Sequence, residues 1–318
     1  MSKQPDLPQS LPRHPFTIAQ ARAAGLEYAT LRSRALQRPF YAVRSRGLDL
    51  SELLDRCRAY SAHMASDAVF SHTTAARIWQ LPLPLAIPDE LHVTVSIGHR
   101  APEGAVSRGH QQRIAAAEHM THRGLAVASP AATWAQVAEL VALEDLTAIG
   151  EHMITGNPYE KRLPLATLTE LTAAAAVRSR GPGHRRRMLS LKEMTDGAFS
   201  RPETHVRLLL ERCGIPRALI NADVLGARGE FIAMPDLQWP EFRVALEYQG
   251  DGHRTARRFR RDIARLEKLI DADWLVIQVT AAELYSDPRV IVERVARRLA
   301  SRGWWGRIRL RQLTTFVP

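Results

Sequence analysis

Cysteine is nearly absent from this chain: Cys57 and Cys213 are the two in 318 residues, and neither has a second cysteine close by. That excludes a disulfide framework or a paired-cysteine metal site, and it sets the expectation of a reducing, cytoplasmic environment. Long apolar runs are also missing, so no membrane span is expected although 45% of the residues are hydrophobic. Met1 to Pro12 is polar and dotted with proline, without a basic stretch leading into an apolar one, so no secretory signal is expected either. What is present is enough apolar sequence to exclude intrinsic disorder, and a length that suits two or three domains at roughly 100–200 residues each. The expected class is a multidomain α+β or α/β protein.

Charge is unevenly spread. The net charge is +11, with a sequence pI near 10.4. Residues 1–177 hold 17 basic against 16 acidic side chains, whereas residues 178–318 hold 27 against 17, and nearly all of that excess is arginine. A rigid, permanently charged guanidinium suits phosphate oxygens, so a basic half beside a near-neutral one points to nucleic acid as partner. A solvated basic face is the competing account.

Residues 1–60 read as a small helical unit. Thr17 is placed to cap a helix that stops at Gly25, and a second helix is expected over Tyr28–Leu36 with Leu31, Ala35 and Leu36 inward. Arg38–Gly47 reads as a short basic strand pair. This is the layout of a winged helix-turn-helix, with Arg32, Arg34, Arg44 and Arg46 as candidate DNA contacts; a helical hairpin that only packs on its neighbour fits the same pattern.

Residues 61–160 read as an α/β middle region. A capped helix is expected over Ala68–Trp79, a strand over Leu91–Val95, a strand over Leu125–Ala128 and a helix from Pro130 to about Ala142 with Trp134, Val137 and Val141 inward. The run Ser71-His72-Thr73-Thr74-Ala75-Ala76-Arg77-Ile78-Trp79 matches an SH-x-TAA-x-x-W segment. With it, Pro15 to about Thr155 resembles the abortive-infection AbiEi family of antitoxin-type regulators, which implies a winged helix joined to this middle region and leaves room for a toxin or other defence-locus partner. His72, at a helix start, reads as a cap and is assigned no chemistry. Residues 161–195 form an alanine-rich helix and a broken basic run, read as a linker in which Arg185, Arg186 and Arg187 could reach phosphates.

The region 196–318 carries the chemistry. Ser200, Pro202 and Glu203 make a helix start with an S-x-x-E capping box. Two strands, Phe231–Pro240 and Phe242–Gln249, form a hairpin that brings Asp236 and Glu247 side by side. Two carboxylates so placed repel unless a positive species lies between them, and a hard divalent cation answers that need.

Pro235-Asp236, then Glu247-Tyr248-Gln249, resembles the PD-(D/E)-x-K nuclease signature. The order Glu203, Asp236, Glu247 with Gly250 and His253, an arginine-rich helix Arg257–Leu269 and the strand Trp274–Val279 resembles its very-short-patch-repair (Vsr)-like branch, the DUF559 endonuclease-like domain, over about Pro202 to Ala300. The resemblance implies a restriction-endonuclease-like mixed sheet flanked by helices. It also implies metal-dependent hydrolysis of DNA, with Mg²⁺ held by Asp236, Glu247 and the Tyr248 carbonyl, helped by Glu203. His253 would serve as general base or orient the attacking water, and Arg254, Arg257, Arg258, Arg260 and Arg261 would grip phosphates. Asp262 and Arg265, one helical turn apart, are expected to pair with each other. Gln249 stands where the signature has lysine: glutamine can orient a water but cannot neutralise charge. Two readings therefore stand, a DNA endonuclease and a non-catalytic DNA-binding regulator on a degenerate nuclease fold. A third, an RNA- or protein-binding module, is not separated from them by any residue.

Overall fold

The computed structural model describes residues 14–318 except 105, 113–114, 116–117 and 251–264. It is a mixed α+β chain that divides into two compact units: residues up to 80 with 89–129, and 81–88 with 130–318. Among the described residues no helix is long and apolar enough to cross a membrane.

In the first unit, β1 (Phe16–Thr17) leads directly into α1 (Ile18–Ala23), and Thr17 caps it with a full capping box to Gln20. Gly25 ends the turn at φ +82°, a conformation that favours glycine. The second helix, α2 (Tyr28–Arg32), is shorter than its apolar spacing predicts. Ser33 leaves helical geometry and its Oγ accepts from the Ala35 amide, so a local side-chain turn replaces the last helical turn. Phe16, Ala21, Leu26, Leu31 and Leu36 nonetheless share one small core. The expected strand pair over Arg38–Gly47 reduces to β2 (Val43–Arg44) paired with β1, plus a single Gln37–Ser45 bridge.

After α3 (Leu53–Ser61) comes a six-stranded sheet with β3 (Val69–Phe70), β4 (Leu91–Ser96), β5 (Glu103–Gly104), β6 (Ser107–Gln112), β7 (His119–His122) and β8 (Leu125–Ala128), ordered β5-β6-β4-β3-β8-β7. The helix expected over Ala68–Trp79 is corrected here. Val69 and Phe70 form a central strand between β4 and β8, and α4 (His72–Ile78) starts only after them. Two apolar residues are too few for periodicity to tell strand from helix. Leu91 to Val95 is buried at every position, so its alternating polar residues His92 and Thr94 are as deeply set as its valines.

The second unit begins with α5 (Pro130–Val137), α6 (Leu143–Ile154), α7 (Leu168–Val177) and α8 (His184–Glu193), which pack with α9 (Arg201–Arg212). Helices expected to be shared between a middle region and a linker thus belong to the same unit as residues 196–318. The reason is a buried ionic seam. Asp145 on α6 meets Arg201 Nε at 2.8 Å and His205 Nε2 at 3.1 Å. Further along α6, Glu151 accepts from Thr204 Oγ1 at 2.6 Å, the Thr195 amide at 2.9 Å and the Arg207 guanidinium. Burial pushes Glu151 upward against the pull of Arg207, so the pairing offsets a large desolvation cost.

Then follow β9 (Leu219–Ile220), β10 (Val224–Leu225), β11 (Phe231–Ala233), β12 (Leu237–Trp239), β13 (Val244–Gln249), α10 (265–271), β14 (Leu275–Thr280), α11 (Ala281–Ser286) and α12 (Pro288–Ala300). The four-stranded sheet is mixed: β14-β13 is parallel, and β13-β12-β9 is antiparallel. Leu237, Trp239, Val244, Leu246, Ile277 and Val279 point from one face into the core formed with Val206, Leu209 and Leu210 of α9 and Ile291, Val295 and Leu299 of α12. The long strand expected over Phe231–Pro240 is split. Its first part pairs with β10, and Met234, Pro235 and Asp236 separate it from β12, because proline cannot donate to a ladder.

Candidate functional site: a carboxylate pair on the C-terminal sheet

The β12–β13 hairpin turns through Pro240–Phe242, with Arg243 at φ +49° closing it. Its register pairs Leu237 with Leu246, Gln238 with Ala245 and Trp239 with Val244. The ladder ends there: Asp236 lies in the bend just before β12, and Glu247 is the next residue of β13 after Leu246. Since Val244 and Leu246 point to the helix-covered core, Glu247 and Gln249 lie on the other face of the sheet by strand alternation. Glu247 acts on the Asp236 carboxyl through its charge, so the two are within electrostatic reach of each other.

Glu247 is 3% exposed, whereas Asp236 retains some contact with solvent. The Tyr248 amide donates to Asp236 Oδ2 at 2.6 Å, so residue 248 enters the site through its backbone. Crowding by protein is the main force that raises the Asp236 carboxyl to about 8; the charge of Glu203 adds to it, the Tyr248 amide opposes it, and Glu247 and Arg265 follow with opposite signs. Such a carboxyl holds its proton near neutral pH until a cation displaces it.

Glu203 sits at the third position of α9, as expected. Its carboxylate is taken up locally, by the Phe199 amide at 2.9 Å, Ser200 Oγ at 2.7 Å and Asn221 Nδ2 at 2.7 Å. Glu203 thus serves as a cap, and its charge also raises the Asp236 carboxyl. Arg265, the first described residue of α10, donates from Nη2 to Glu247 Oε2 at 3.0 Å. Helical spacing assigns Arg265 to Asp262, which lies outside the described residues. A contact across 18 positions has no local periodicity to betray it.

His253 and the arginines 254, 257, 258, 260 and 261 also lie outside the described residues. Arg185 and Arg186 are exposed on α8, with Arg186 Nη1 reaching the Ala138 and Glu139 carbonyls. Arg187 is a correction. It is 1% exposed and its guanidinium donates to the carbonyls of Ala135, Arg178, Gly181 and Pro182, so it ties α5 to the turn before α8 and faces no phosphate. In the other unit Arg32, Arg34 and Arg46 are exposed, while Arg44 is spent on the Leu31 and Val43 carbonyls.

No known protein family matches the chain. Two uncharacterized proteins of Mycobacterium tuberculosis, MT2308 of strain CDC 1551 and Rv2248 of strain H37Rv, are each 28% identical over 120 residues, or 36% of this chain. The match spans 44% of those relatives' own length. The crystal structure of the RV2827C protein from the same species covers 57% of this chain and 77% of its own, at 16% identity and a TM-score of 0.29.

Proposed function

We propose that the second unit is a metal-dependent endonuclease domain of the PD-(D/E)XK type, and that the chain acts on DNA with its N-terminal winged-helix-like segment as a second point of contact. The observation that carries this reading is the placing of Asp236 and Glu247 next to the Leu237–Leu246 pair, one just before β12 and one in β13, with the Tyr248 amide bound to Asp236. The donor set suits Mg²⁺: two carboxylates from the β12–β13 hairpin, with no nitrogen or sulfur among them. Asp236, Glu247 and the Tyr248 carbonyl are the residues that would hold it. The ion would neutralise the charge that develops on a phosphodiester as it is cleaved.

The chain's own groups do the rest. The Tyr248 amide fixes the Asp236 rotamer, and the Glu203 cap raises the energy of the metal-free carboxylate pair. Gln249 lies on the same face as Glu247 and can orient a water by hydrogen bonding. Arg265 supplies a cation beside Glu247, in a sheet where the signature lysine is missing. Exposed Arg185 and Arg186 add to the cationic surface of this unit.

Plasmid DNA incubated with the full chain and Mg²⁺ should be nicked, and Asp236→Asn and Glu247→Gln should each abolish nicking. Equal activity of wild type and both variants, or no cleavage by any, removes the enzyme reading. A second reading, a DNA-binding regulator on an inert nuclease fold, is favoured by two features: Gln249 in place of lysine, and the Arg265–Glu247 ion pair, which supplies a positive group without a metal. It expects salt-sensitive duplex binding that is indifferent to Mg²⁺.

A further inference from the structure

Three histidines meet in the first unit, far from each other in sequence and on a different sheet from the carboxylate pair. His72 opens α4, His92 is the second residue of β4 and His110 lies on the parallel neighbour β6. The register pairs His92 with Arg108 and Thr94 with His110, so the two strand histidines are two positions apart on the same face. His72 is fully buried, His92 is 2% exposed and His110 is partly exposed. The rings of His72 and His110 stack at 3.7 Å between centroids, and His92 Nδ1 is 2.9 Å from His110 Nε2. One ring nitrogen from each residue lies within 4.8 Å of the others.

We infer that His72, His92 and His110 form a binding site for a transition-metal ion of the Zn²⁺ class. Three imidazole nitrogens with no thiolate and no directly facing carboxylate suit a borderline metal and not Mg²⁺. A three-histidine set leaves the fourth position of a tetrahedron for water or a ligand, on the side where His110 reaches solvent.

Two features beyond the cluster itself point the same way. Each inner histidine has an oxygen group on its outer nitrogen, the arrangement that orients metal-bound imidazoles. Glu90 Oε1 is 3.2 Å from His92 Nε2, with Arg108 Nη1 at 3.6 Å behind it, which directs His92 Nδ1 inward. Ser71 Oγ is 2.9 Å from His72 Nδ1, although Ser71 is the N-cap residue of α4 and its side chain caps no amide. The second feature is backbone geometry. His72 has φ +48°, a left-handed conformation that is costly for a residue of this size and that aims its ring at β4 and β6. A histidine serving merely as a cap or core filler needs neither device.

The test uses the full untagged chain, stripped with chelator and desalted. Titrated with Zn²⁺, it should retain one ion per chain through a second desalting, and Co²⁺ should give the intense visible absorption of a four-coordinate site. His110→Gln, at the partly exposed edge, should lose the Co²⁺ band and most of the retained zinc while its far-UV spectrum stays native. Glu90→Gln should weaken zinc about ten- to a hundredfold through the orientation of His92. The double variant Asp236→Asn/Glu247→Gln should keep the ion, which separates this site from the carboxylate pair. Folded wild type that retains no zinc overturns the inference. So does zinc retained equally by His110→Gln, or lost only in the carboxylate variant.

Discussion

Asp236→Asn is the perturbation that most directly probes the electrostatics of the carboxylate pair. The variant preserves the shape of the side chain and an oxygen to accept from the Tyr248 amide, but removes the charge. In the folded chain the carboxyl is raised from an ordinary 3.8 to about 8. The unfolded chain releases this proton above its ordinary value while the folded chain keeps it, so stability falls as pH rises through the interval and the loss is complete above the folded value. Each tenfold difference in proton affinity between the two states is worth about 1.4 kcal/mol. Because Asp236 is partly exposed and shares its field with Glu203 and Glu247, we take half that slope. From about pH 5 to about pH 8 that amounts to roughly 2 kcal/mol, or about 4–8 °C for a unit of this size. Melting curves of wild type and Asp236→Asn should therefore nearly coincide near pH 4 and diverge above it, with the variant more stable at pH 8. Mg²⁺ should narrow the gap by stabilising wild type alone, since it binds only the folded site. A constant offset between the two proteins across the pH range would refute the assignment of a strained, proton-holding carboxyl at this position.

Other outcomes follow from the same geometry. Arg207→Met leaves Glu151 buried without its cation, and should destabilise the second unit by about 3–5 kcal/mol in denaturant titration. In Gly150→Ala the new methyl would sit 2.2 Å from Met194 Cε and 3.1 Å from Trp134 Nε1, so a loss of about 1–3 kcal/mol is expected, with Met194 giving way first. Arg187→Ala should lower the melting temperature, because four carbonyls lose their donor. Arg185→Ala should leave it unchanged while reducing the salt dependence of duplex binding by about one ion; the opposite pattern would mean that the roles of the two arginines are exchanged.

Much of this protein was legible from sequence where the governing interaction is local. The Thr17 and Ser200 caps, the Gly25 stop and the strand expected over Leu91–Val95, found one residue longer, are short-range patterns that stand where capping chemistry or hydrophobic patterning puts them. The β12–β13 hairpin was also readable, because a tight turn fixes register from sequence spacing alone. Charge asymmetry between the halves needs no structure at all. Tertiary structure decided what depends on partners distant in the chain. It turned Val69 and Phe70 into a central strand, which only their neighbours β4 and β8 reveal. Folding also withdrew Arg187 from the surface by offering it four carbonyls, and gave Arg265 to Glu247 across 18 residues. Most of all, it gathered His72, His92 and His110 onto one spot. No spacing rule joins residues separated by 20 and 18 positions. A helix start and two parallel strands bring them together, because parallel pairing sets side by side segments that are remote along the chain.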